Sequence, residues 1–534
     1  MSTITLSNPL PGDAPQSTAP AKSGDASDRG TYSHILKSTA LVGGSSIVNI
    51  LVRIARGKVM ALLLGPAGVG LVGLYGSISD LTQSIAGVGI NSSGVRQIAE
   101  AAGSGDSERI GRTASVLRRT SVSLGIVGAL LLVLFSRQVA LLTFGNDQHT
   151  GSVCLLSFAV LLRLVSDGQG ALIQGLRRIS DLAKIGVVSA VFGAISSLVL
   201  VFFLRENGVV PSIVAAGAIS TGASWWFTRK LELRRPSMSI AQVAEEASSL
   251  LKLGFTFMAS SMMMMGAAYA IRLIVLRKVG FEATGLYQSA WILGGLYVGF
   301  ILQAMGADFY PRLTASAADN VACNRMVNEQ TRVGLLLAGP GTIATLTLAP
   351  IVITLLYSSK FSGAVEILRW ICLGATLQVV TWPMGFIILA KGKRQIFFLS
   401  ELAWTIVNIS LAWLCVEYFG LNGSGIAFFG SYLFHAVMIY PIVWRVSGFC
   451  WSEENKKTGL LYLAAVTLVF CGFYFLPALY AGLLGITALI LSGAHSIRVL
   501  LTLVSTDRLP SFIRALLVTL RFLPRSANSL GACR

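Results

Sequence analysis

Long apolar runs, broken by short polar turns, fill the chain from about residue 35 to residue 504. A helix needs roughly 20 mostly apolar residues to cross a bilayer. On that measure the pattern predicts fourteen spans: 37–64, 67–90, 114–135, 153–175, 183–204, 209–227, 251–276, 285–307, 333–357, 365–389, 397–418, 421–444, 458–476 and 479–504. Several connections are tight and carry turn-forming residues, as in Gly65-Pro66-Ala67-Gly68 and at 419–423. Residues 1–34 are rich in Ser, Thr, Pro, Ala, Gly and Asp and lack the basic and apolar segments of a signal peptide, so they read as a disordered tail. The predicted outer loops are too short for a separate domain, which directs the search for function to the membrane and its surfaces.

Composition narrows the class further. Of 534 residues, 54 % are hydrophobic and 12 % charged, and the mean hydropathy is +0.71. A soluble domain is nearer a quarter charged. An ordinary cytosolic enzyme, a disordered chain and a coiled coil are excluded; an all-α polytopic membrane protein remains. The net charge of +18 does not require nucleic acid, because cytoplasmic loops collect Lys and Arg. With the N-terminus placed in the cytoplasm, 31 of the 42 Lys and Arg fall on cytoplasmic segments, 6 on outer ones and five within spans. This alternation predicts that both termini are cytoplasmic. Seven Cys without CxxC spacing read as small buried hydrophobes, and four scattered His make no metal cluster.

An internal repeat organises the spans. Gly65 and Gly70 match Gly280 and Gly285 at an offset of 215, while Arg56 and Arg96 match Arg272 and Arg312 at an offset of 216. The expected architecture is two six-helix lobes related by a parallel pseudo-two-fold. The division is a tail (1–34), an N-lobe (35–227), a cytoplasmic linker (228–250), a C-lobe (251–444), an appended pair of spans (445–504) and a basic tail (505–534). The stretch 508–525 fits either an interfacial helix or a frayed tail with snorkelling arginines.

Charge at membrane depth is costly, about 2.5–3.5 kcal/mol per group or more, so the few such residues are candidates for function. Span 1 carries Arg53, Arg56 and Lys58 with no acid on the same span. They suggest a wet cavity awaiting an anion, with snorkelling as the competing account. Arg163 and Asp167 are spaced to neutralise each other along one helix, and Arg272 is expected in the cavity by its match to Arg56. Asp80, with Gln83 one turn on, is a candidate counter-ion or titrating group. Glu401 reads as partly solvated near a span end, and His435 as either titrating or hydrogen-bonded between helices. Tyr287, Gln288 and Trp291 suit a sugar ring or an interfacial aromatic belt. Such a cation-rich cavity favours an anion, and arginine's planar fork suits a diphosphate.

Particular motifs carry a resemblance. GPAGVGLVG (65–73), GLYQSAW (285–291), ADFYPRLTASAADNVACNRMVNEQT (307–331), KFSGAVEILRW (360–370) and WPMGFIILAKGK (382–393) resemble the bacterial O-antigen and enterobacterial common antigen flippases. These form the polysaccharide transporter branch of the multidrug/oligosaccharidyl-lipid/polysaccharide superfamily. The resemblance implies two lobes forming a V around a cationic cavity. It implies translocation of an undecaprenyl-diphosphate-linked oligosaccharide to the outer leaflet of the bacterial inner membrane, with the polyprenyl tail left in lipid at a lateral gate. It implies no bond chemistry and no cofactor, and leaves the coupling ion, H⁺ or Na⁺, open. Partners would be the lipid-linked oligosaccharide, membrane lipids and other surface-polysaccharide assembly proteins, with no nucleic acid. In this reading Arg96 and Arg312 meet the diphosphate at the cytoplasmic edge before Arg53, Arg56 and Arg272 receive it. A cation-coupled multidrug exporter of the same superfamily is the runner-up; it would need deep acids rather than deep arginines. A membrane glycosyltransferase, polymerase or ligase would need a sizeable outer loop.

Overall fold

The computed structural model describes residues 25–231, 233 and 238–503; residues 1–24 of the expected tail and the 508–525 stretch lie outside them. Among the described residues there are sixteen α-helices and no strand: α1 (Asp25–Gly87), α2 (Ile90–Gly103), α3 (Ser107–Leu134), α4 (Ser136–Phe144), α5 (Thr150–Gly175), α6 (Ile179–Leu204), α7 (Val209–Thr228), α8 (Ile240–Lys278), α9 (Phe281–Ala315), α10 (Asn320–Thr347), α11 (Ala349–Leu356), α12 (Ala364–Ala390), α13 (Arg394–Phe419), α14 (Gly423–Ser447), α15 (Glu453–Phe475) and α16 (Ala478–Leu503).

Ten described stretches are long and apolar enough to cross a membrane, and α10 with α11, bent by 78° at their junction, make an eleventh. Three of the ten are 44, 50 and 54 residues long. At about 1.5 Å per residue each is roughly twice as long as a ~30 Å hydrocarbon core is thick. Each is also broken near its middle, at Gly65, at Arg205–Gly208 and at Gly420–Asn422. Counting each as two crossings turns eleven into fourteen, the number the hydrophobic pattern predicts.

The halves repeat in backbone detail. Helix α6 begins at Ile179 and ends at Leu204; α13 begins at Arg394 and ends at Phe419, 215 residues later at both ends. Left-handed backbone recurs at the same spacing: Arg177 (φ 55°) with Gly392 (φ 69°), and Arg205 (φ 52°) with Gly420 (φ 57°). The breaks before Pro66 and Phe281 also correspond, with φ 67° and ψ −171° at Gly65 and φ 113° and ψ −178° at Gly280. Only glycine adopts such angles readily, and proline suits the first turn of the helix that follows.

The two equivalent turns pack on each other. A Cβ added to Gly70 would lie 2.7 Å from the Phe281 carbonyl oxygen, and one added to Gly285 would overlap the Pro66 carbonyl oxygen. Those contacts are the same contact read from either half, since Pro66 and Phe281 are 215 residues apart, as are Gly70 and Gly285.

Polar contacts between turns sort onto two faces. On the Gly65 face, Arg205 donates to the Leu63 carbonyl, Arg277 donates to the Leu141 and Leu142 carbonyls at 2.6 Å each, and Lys278 pairs with Glu417. On the opposite face, Gln97 donates to Ser249, Lys391 to the Ala317 carbonyl and Asn324 to the Ser447 carbonyl.

Four expectations need correction. Helix α1 begins at Asp25, inside the expected disordered tail. Helix α2 follows a reversal at Val88 and Gly89, both with positive φ, where no separate helix was expected. Helix α8 begins at Ile240, inside the expected linker, because Ser239 and Gln242 form a capping box. The ninth span is not one straight helix: Pro350, in the first turn of α11, cannot continue α10.

Candidate functional site

A cavity of about 850 Å³ lies between the halves, walled mainly by α1 and α9 and reached by Tyr357 and by Gln378 and Trp382 of α12. Glycines Gly57, Gly295 and Gly299 form part of its wall, and a Cβ on any of them would meet open space. Arg53 points into it. Arg53 stands twelve residues before the Gly65 turn, about 18 Å along the helix, near the middle of a bilayer. That depth rules out snorkelling past the turn. Arg53 is exposed within the structure and Arg56 half-buried. Neither makes an ion pair or hydrogen bond with any described residue, so among the described residues neither deep cation has a counter-charge.

The other expected cavity cations are engaged elsewhere. Lys58 donates to the Thr354 carbonyl at 3.1 Å, near the C-terminal end of α11, where helix carbonyls favour a cation. Arg272 is only 7 % exposed. It donates to Gln288 at 2.7 Å and to the Ala268 carbonyl at 2.8 Å. Arg272 is therefore a sealed interface cation, and its expected equivalence to Arg56 fails. The backbone repeat runs at 215, not 216, and a one-residue slip turns a helical side chain by about 100°. The position equivalent to Arg272 is Gly57.

Tyr287 and Gln288 leave the sugar-contact set for the same reason: Tyr287 is 2 % exposed and Gln288 holds Arg272. Trp291 remains in the cavity wall. At the opposite face Arg96 pairs with Glu100 at 2.8 Å, and Arg312 lies exposed in the last turn of α9.

The acids form a ladder between α1 and α5. Arg163 pairs with Asp80 at 2.6 Å rather than with Asp167, and Asp167 accepts from Gln83. Both rungs cross between helices because Asp80 and Gln83 are one turn apart, as nearly are Arg163 and Asp167. Asp80 is thus the counter-ion of Arg163, not of span 1. These groups line a second cavity of about 400 Å³ near Asn91.

A third cavity, about 440 Å³, is enclosed by α8, α12, α13 and α14. Trp382, Trp404, Tyr432, His435 and Glu401 line it, and it shares Met264, Gln378 and Trp382 with the central cavity. Glu401, near the start of α13, is half-buried and makes no hydrogen bond or ion pair with any described residue. His435 is not bridged between helices: its Nδ1 is sealed and unpartnered, as is the Trp404 Nε1. The sequence reading missed Gln378, Trp382, Trp404 and Tyr432. A signal existed in the spacing Glu401, Trp404, Thr405 and Tyr432, His435, which sets polar and aromatic groups on one face of otherwise apolar helices.

His149, just ahead of α5 on the Gly65 face, joins the halves. Its Nδ1 lies 2.9 Å from the Tyr75 hydroxyl, and its ring meets Phe144 at 4.1 Å and Phe281 of the second half at 6.5 Å. Burial pushes its pKa below the usual imidazole value, against the opposing pull of Glu206. Cys450, expected to be buried, is exposed between α14 and α15. Among the described residues no group of three His, Cys, Asp or Glu could hold a metal ion.

The profile of a family described as "Polysaccharide biosynthesis protein" matches residues 59–366. The "Lipid III flippase" of Escherichia coli (strain K12) is 20 % identical over 421 residues, covering 77 % of this chain and 99 % of that protein, and the Shigella flexneri protein of the same name matches equally. Among solved structures, "Lipid II flippase MurJ, inward closed conformation" aligns with a TM-score of 0.64 at 13 % identity, over 86 % of this chain and 99 % of its own. An inward-facing MATE family multidrug resistance transporter of the MOP superfamily aligns at 0.58 and 17 % identity, over 77 % and 96 %. At these identities the solved structures show a shared fold.

Proposed function

This chain belongs to the family of polysaccharide biosynthesis proteins, and from that premise we propose that it is a flippase. Its cargo is an undecaprenyl-diphosphate-linked oligosaccharide, carried from the cytoplasmic to the outer leaflet of a bacterial inner membrane. The observation that carries this reading is Arg53, an uncompensated cation at mid-bilayer depth in a cavity of about 850 Å³, with Arg56 one turn away. Two such groups make a site for an anion, and a diphosphate accepts from both guanidinium forks.

The cavity wall between α1 and α9 suits a lipid. Ile47 and Leu51 on α1 and Ile292 and Phe300 on α9 are exposed apolar residues, so a polyprenyl tail can stay in the bilayer while the headgroup enters. The Gly65 face is the outer one in this proposal and both termini are cytoplasmic, in keeping with the 31 to 6 distribution of basic residues. Arg96 and Arg312 are then edge cations that meet the diphosphate first. The halves rock about their glycine contact to give alternating access.

The competing reading, export of an organic cation, draws on the unpaired Glu401 among tryptophans. It would leave Arg53 and Arg56 facing a like charge.

The test is transport in proteoliposomes with lipid-linked sugar, set beside surface glycan display. Removing one charge-assisted contact is expected to cost about 1.5–3 kcal/mol, or roughly 10–100-fold in transport. Arg53→Ala and Arg56→Ala should show that loss at normal expression, with Arg53→Lys partly active. Full transport in both alanine variants would refute the assignment.

A further inference from the structure

We infer that the chamber enclosed by α8, α12, α13 and α14 seats a sugar ring of the cargo, resting on the flippase reading above: the ring lies against Trp404 and Trp382 and its hydroxyls donate to Glu401. The chamber adjoins the central cavity and shares Met264, Gln378 and Trp382 with it, which sets Glu401 on the side toward which a headgroup held at Arg53 can extend its sugars.

The lining is not something the fold demands. At the positions 215 residues earlier, the first half builds the same backbone with Gly186 for Glu401, Ser189 for Trp404, Gly217 for Tyr432 and Ser220 for His435. The second half has replaced small residues with a carboxylate and three rings. Over the same repeat the ionic ladder is lost: Gln378 stands for Arg163, Trp382 for Asp167 and Gly295 for Asp80. No cation therefore remains in the chamber wall to neutralise Glu401. A half-buried carboxylate without a cation favours hydrogen-bond donors beside it. Trp382, Trp404, Tyr432 and His435 supply the chamber's ring surfaces.

Donors and acceptors spaced around an apolar-faced ring are what a pyranose offers. Trp404 packs on Tyr432 and His435, their centroids 5.5 Å and 6.1 Å from its own, which holds the indole in place as one wall. An organic cation would also satisfy Glu401; a sugar is preferred because the chamber adjoins the cavity of Arg53.

Two probes separate this inference from the reading it rests on: undecaprenyl diphosphate, and the same lipid bearing one N-acetylglucosamine. Both are titrated against the full-length protein in nanodiscs, as wild type, Glu401→Gln, Trp404→Phe and Arg53→Ala. Wild type should prefer the sugar-bearing lipid by at least about tenfold, since a site built to hydrogen-bond a group discriminates against its absence. Glu401→Gln and Trp404→Phe should cut the preference to within about twofold while leaving the bare lipid's affinity unchanged, because the diphosphate contacts are intact. Arg53→Ala should weaken both lipids alike and keep the preference. A preference that survives both chamber variants overturns the inference and leaves the flippase reading standing, as does loss of the bare lipid in those variants. Wild type binding neither lipid overturns both. Competition by tetraphenylphosphonium that disappears in Glu401→Gln assigns the chamber to a cation and overturns the inference.

Discussion

Arg163 had two acids within reach of its side chain, and the choice between them shows what decides pairing at the residue scale. Spacing along α5 favours Asp167, yet the close packing of α1 brings Asp80 to 2.6 Å. Both members of that pair are partly exposed, so solvent screens it. A double-mutant cycle with Asp80→Asn and Arg163→Gln should give a coupling of about 1 kcal/mol, measured as a shift in thermal unfolding in detergent. A coupling near zero would refute the pair, and the same cycle on Arg163 and Asp167 should be the smaller. His149 supplies a pH dependence. Its pKa is lower in the fold than the unfolded value, so the unfolded chain binds the extra proton as pH falls. Stability from this site is complete above about pH 6.5, the unfolded value, and declines as pH drops toward the folded pKa. Thermal unfolding scanned from neutral to mildly acid pH should show that decline, and His149→Phe should flatten it. None of these partnerships was legible along the chain, because each is made between helices, where one residue of register redirects a side chain.

Helices and turns were far more readable. Hydrophobic runs and turn glycines are local signals, so the fourteen crossings and the Gly65/Gly280 correspondence could be read from sequence. The repeat's glycines gave the true offset of 215 and its arginines a false one of 216, for a physical reason. Glycine is held in place by backbone geometry, whereas the arginines one residue off that register sit in different surroundings, Arg272 sealed against Gln288 and Arg56 half-buried on α1. At this scale Gly285 is the position to perturb. In an open helix, glycine to alanine gains up to about 1 kcal/mol, and Gly76→Ala, where a Cβ meets nothing within 4 Å, should be neutral or stabilising. Gly285→Ala should instead cost about 1–3 kcal/mol, because the atom in the way is the Pro66 carbonyl oxygen, part of a backbone that cannot turn aside. Thermal unfolding of the two variants checks the contrast. Missed elements, such as α2 and the bend at Pro350, lay where short polar or proline-containing stretches gave the apolar pattern no length to register.

Across the whole molecule, the pair α15 and α16 stands outside the repeat but is built into the second half. Tyr462 of α15 is fully buried, lies against Gly339 of α10 where a Cβ would overlap its ring, and its hydroxyl meets Ser496 of α16. Gly485 of α16 likewise faces Thr347. A chain truncated after Ser447 should therefore leave that face of α10 uncovered and fail to accumulate as a folded membrane protein, judged by the monodisperse peak of a fluorescent fusion. Tyr462→Ala should cost about 3–5 kcal/mol and show the same defect in milder form. The architecture was legible because it is a count of crossings. Of the central cavity's wall, Arg53 and Trp291 were the residues singled out along the chain; the third cavity, with its tryptophans and Glu401, takes shape only when four helices of the second half are brought together.

The mutual contact of the two glycine turns carries a further meaning. Each half presents to the other the same patch that it receives, which is the geometry of an isologous dimer interface, here drawn within a single polypeptide. Covalent continuity is then not what holds the halves together. Cut in the segment between α7 and α8 and produced as two chains, they should reassociate on co-expression and recover together.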